Sequence, residues 1–132
     1  MVAHALQLVD ENLARDQYRR AHNELSRSLL GFGYTSEWPR SWVGPSDVDS
    51  GPQIPILEIS AGSSGMSMIA ASAFDDTTYL SELMTTLDFA AFPKEESGGL
   101  RYCASNELGD AVVLYSTVLG PLWERVKSGG RP

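Results

Sequence analysis

Three carboxylates, Glu37, Asp47 and Asp49, fall within one loop-like stretch, Glu-Trp-Pro-Arg-Ser-Trp-Val-Gly-Pro-Ser-Asp-Val-Asp-Ser-Gly-Pro from Glu37 to Pro52, and a fourth, Asp110, opens a later helical segment. Such a set suits general acid and base work, in which two carboxyl groups face one bond from opposite sides at roughly 5 to 9.5 Å and one is kept protonated by its surroundings. Asp47 and Asp49, two residues apart in extended chain, point to the same side. Trp38 and Trp42 supply flat apolar faces on which a sugar ring or an isoprenoid chain can rest, and Arg40 stands between them as a third ligand-binding candidate. These residue types also serve structure: Asp47 or Asp49 can cap a turn, and Glu107 and Asp110 favour a helix N-terminus electrostatically. The functional reading of Asp110 is that its helix opens on the cavity that Asp49 reaches.

Other motifs fail on inspection. Asp47, Asp49 and Glu58 occupy positions 1, 3 and 12 of a calcium loop, but Pro52 stands where that loop needs Gly. Gly62-Ser63-Ser64-Gly65-Met66 resembles a nucleophile elbow with Met in place of the last Gly, and small residues for close helix packing explain it better. No Lys-Thr follows those glycines, so no phosphate loop is expected. His4 and His22 have no second ligand at zinc spacing. Cys103, the single cysteine, excludes an internal disulfide, and its neighbours Tyr102 and Ala104 predict a small buried hydrophobe. No cofactor and no metal are indicated.

The balance of 17 acids against 10 bases, a formal charge of −7, disfavours nucleic acid and anionic membranes as partners. The longest weakly polar run, Met66 to Phe74, is too short to span a bilayer. No basic leader precedes the first amphipathic residues, so the chain as given reads as cytoplasmic.

The elements that must position these residues read as helices. Val2 to Val9 is helical in composition without a cap before it, as if the chain starts inside an element. Asp10 caps an outer helix of about twenty residues carrying Leu13, Tyr18, Ala21, Leu25 and Leu29 on one side, closed by Gly31 and Gly33. Gln53 to Ile59 is extended, because Pro55 forbids helix. Ser60 to Ala73 has no charge on any face and reads as a buried inner helix. Asp75 or Asp76 caps the next, one-sided helix, which Phe92-Pro93 ends. Lys94 to Gly99 reads as a turn, and Leu100 to Cys103 as briefly extended. Ser105 or Asn106 starts a mostly apolar helix that Gly120-Pro121 interrupts, with a last short helix to Lys127. The organisation is one helical domain over residues 1–127 and a flexible tail over 128–132.

Alternating one-sided and fully apolar helices is the pattern of an α/α toroid, of which this chain holds too few helices to close the ring. Glu37-Trp38-Pro39, Asp47-Val48-Asp49-Ser50-Gly51-Pro52, the small-residue helix from Ser60 and Leu108-Gly109-Asp110-Ala111 together resemble the C-terminal region of uncharacterised bacterial α/α-toroid proteins. Those proteins are similar in fold to linalool dehydratase-isomerase and the six-hairpin glycosidases. The resemblance implies an all-α, incomplete toroid. It also implies a carbohydrate-like or other hydroxylated ligand handled by a paired-carboxylate hydrolase or lyase, or a hydro-lyase of the linalool type. The alternative is a non-catalytic helical module that docks on missing upstream helices or on a partner protein.

Overall fold

The computed structural model describes residues 2–44, 53–54, 59–96 and 98–129, so Asp47 and Asp49 lie outside the described residues. After a short α1 (Val2–Leu6), Asp10 begins α2 (Glu11–Leu25) by accepting a hydrogen bond from the Leu13 amide at 3.0 Å. This is the N-cap that the sequence predicts. Ala14 is the fully buried residue of α2, as befits an outer helix.

The helix then stops at Leu25, four residues before the alternation ends at Leu29, and the prediction of a twenty-residue helix is corrected. Ser26–Leu29 (β1) pairs antiparallel with Phe32–Thr35 (β2), Ser26 opposite Thr35 and Leu29 opposite Phe32. Leu30 and Gly31, at φ 53° and 84°, form the two-residue turn with both residues left-handed that matches strand twist. Gly31 therefore turns a hairpin and does not close a helix. Gly33 permits close approach: a Cβ there would stand 2.8 Å from the Glu82 Cβ, so β2 lies directly on a helix.

That helix is α4 (Thr77–Ala90), which follows α3 (Ala61–Ala73) after a tight turn through Asp75 at φ 58°. Two-residue strands Gln53–Ile54 (β3) and Ile59–Ser60 (β4) pair just before α3. Ser60 caps α3 by accepting from the Ser63 amide. The charge-free α3 is the central element. Ile69 and Ala73 pack with Ala14, Phe74 and Leu119, while Met68 and Ala71 pack with Tyr79 and Leu83. Pro93–Glu96 (β5) and Gly99–Tyr102 (β6) then form a hairpin where the sequence suggests a polar turn. The last helix, α5 (Glu107–Lys127), is capped by Asn106, whose side chain accepts from the Gly109 amide at 2.9 Å. It runs through Gly120-Pro121 without a break, so the predicted interruption is also corrected: one missing N–H removes one helical bond, and the helix continues beyond it.

The all-α toroid expectation is overturned. Of the 115 described residues, 68 are helical and 20 lie in strands. The β1–β2 hairpin and the two-residue β3–β4 pair stand against a layer in which α3 lies between α4 and α5, and the β5–β6 hairpin joins α4 to α5. Cys103, expected to be buried, is exposed.

Candidate functional site

Glu37 is placed by the chain that leaves β2, where Ser36 bridges to Ile59 and brings the next residue to the first turn of α3. Its Oε2 accepts from Ser60 Oγ at 2.8 Å and from Ser63 Oγ at 3.1 Å, at the helix end that favours negative charge. Two seryl hydroxyls thus hold this carboxylate as part of a helix start. The rings of Trp38 and Trp42 stack on each other, 4.8 Å apart and 21° from parallel, so each covers one face of the other. Gly44 lets the chain cross over Trp42, because a Cβ there would meet the indole at 2.9 Å. Arg40 donates from its guanidinium to the Ser26 carbonyl and from its amide to the Glu24 carbonyl, and Ser41 N–H donates to the Glu24 carboxylate. The structure therefore gathers Glu37, Trp38, Arg40 and Trp42 into a segment pinned to α2, β1 and α3.

Asp110 has a different set of neighbours. It lies in the first turn of α5, its amide bonded to the Asn106 carbonyl. One carboxylate oxygen is buried without a hydrogen-bond partner among the described residues. Nearby, the buried Tyr102 donates from its hydroxyl to Asp88, and burial, that bond and the charges of Asp88 and Asp110 push its phenol up to about 12.

A polar junction that sequence reasoning missed joins α2 to α4. Asp76 caps α4 through the Tyr79 amide at 3.1 Å, accepts from Tyr18 Oη at 2.8 Å and faces His22 Nε2 at 3.5 Å. The His22 ring meets Tyr79 edge-on at 4.8 Å, and Tyr79 Oη donates to the Tyr34 carbonyl at 2.7 Å and lies 2.8 Å from Thr35 Oγ1. Burial and the Asp76 carboxylate hold the Tyr18 phenol well above its ordinary value. A shallow cleft of about 210 Å³ opens beside this junction, between His22, Arg27, Asp76 and Glu82. Tyr18 and His22 are four residues apart on α2, and Asp76 and Tyr79 three apart at the start of α4. That spacing was the available signal.

The outer face of α5 is the feature that neither packing nor capping explains. Ser116 and Leu119 are buried, and Val112 and Val113 pack on the two core clusters. On the opposite side Leu114 is 64% exposed and Val118 50%, with the exposed Ala111 before them and Tyr115 along the edge, while Leu108, one turn before Val112, is 74% exposed at the start of the helix. From Leu108 to Leu119 the single charged residue is Asp110. Between Ala111 and Leu119 α5 carries no charge, and its outer side stands in solvent. His4 of α1 borders this face, its Nε2 3.3 Å from Tyr115 Oη. A smaller apolar tip forms where Leu30 of the first hairpin stands near Phe32 and Phe89, whose rings meet at 5.4 Å.

Comparison with protein-family models, with curated proteins and with solved structures found no match. Among the described residues, no helix is long and apolar enough to cross a membrane. Among the same residues, no group of three or more His, Cys, Asp and Glu side chains is arranged to hold a metal ion.

Proposed function

We propose that this chain is a non-catalytic docking module whose outer α5 face receives an apolar helix face of another polypeptide. The observation that carries the reading is the exposed apolar set Ala111, Leu114 and Val118, at three- and four-residue spacing on a helix whose other side is already core. Removing such side chains from water stabilises a complex by about 25 cal/mol per Å² of apolar surface, before the costs of association are subtracted. Helix-in-groove recognition uses anchors at this three- and four-residue spacing. Acid–base chemistry draws less support. Glu37 is engaged by two hydroxyls at a helix start, and Trp38 and Trp42 turn one face each toward the other.

The test is a neutral hydrophobic dye, Nile red, titrated with dilute protein. Wild type should bind it with enhanced fluorescence, and Leu114→Glu/Val118→Glu should lose most of that signal while keeping its helical circular dichroism. Fluorescence unchanged in the double variant would overturn the reading.

A further inference from the structure

We draw no further inference here: the strongest candidate, the apolar tip that Leu30, Phe32 and Phe89 form at the end of the first hairpin, is a surface patch with nothing in the structure to show what covers it.

Discussion

The two faces of α5 are made of nearly the same residue types, and the fold treats them oppositely. The inner face sends Val112, Val113 and Leu119 into the two core clusters and ties Ser72 Oγ to the Ser116 carbonyl at 2.6 Å. The outer face presents Ala111, Leu114 and Val118 to solvent. Hydrophobicity alone does not tell these faces apart. What separates them is that α3, itself without charge, is wide enough to cover one side of α5 and cannot reach the other.

Substitutions on α5 should therefore split by face. Leu119→Ala, at a residue 1% exposed, should cost about 2–5 kcal/mol in urea denaturation, while Leu114→Ala stays within roughly 0.5 kcal/mol. Equal costs would mean that the outer face is packed as well. The polar junction offers the next largest effect. Asp76→Ala removes a cap and leaves the Tyr18 hydroxyl without its acceptor, which should cost about 1–3 kcal/mol. Asp76→Asn, which retains an acceptor oxygen, should recover part of the loss.

Stability should also depend on pH at both ends of the scale. Burial lowers the His4 pKa below its ordinary value near 6.5. The folded state then binds fewer protons than the unfolded one, so stability is present above that value and falls as pH drops through it. Tyr18 and Tyr102 behave in the opposite sense. Their folded pKa values lie above the ordinary value near 10, so their contribution is intact below pH 10 and declines above it, over pH 10 to 12 for Tyr102. Thermal scans across pH should show both slopes. Tyr102→Phe should flatten part of the alkaline slope. The smallest effect is expected at the first hairpin. Leu30→Asn should stabilise by about 1 kcal/mol, because Leu30 is left-handed and 91% exposed and Asn tolerates that backbone.

The helices were legible where a cap announced them. Asp10, Ser60, Asp76 and Asn106 each accept a bond from an amide of the helix that follows, and each stands at or next to a predicted start. The hairpins were not legible, for physical reasons. Leu25 and Leu29 keep helical spacing across the point where α2 ends, and a turn built on Leu-Gly lacks the Asn-Gly signal of left-handed pairs. Pro93–Glu96 is exposed at all four positions, so it shows no alternation from which to read a strand. Of the candidate site, the grouping of Glu37 with Trp38, Arg40 and Trp42 follows from proximity in sequence. That Glu37 would serve the start of α3 depended on Ser60 and Ser63, more than twenty residues away, which no local pattern connects to it. Cys103 was misplaced because its apolar neighbours suggested burial, whereas it sits in the turn between β6 and α5.

The central claim, that the outer face of α5 is where a second molecule docks, is tested most directly by nuclear magnetic resonance of the wild-type chain titrated with Nile red. The methyl signals of Ala111, Leu114 and Val118 should shift together as dye is added, while those of Leu29 and Leu30 at the hairpin tip stay fixed. Fixed α5 signals, or shifts confined to the hairpin tip, would contradict it.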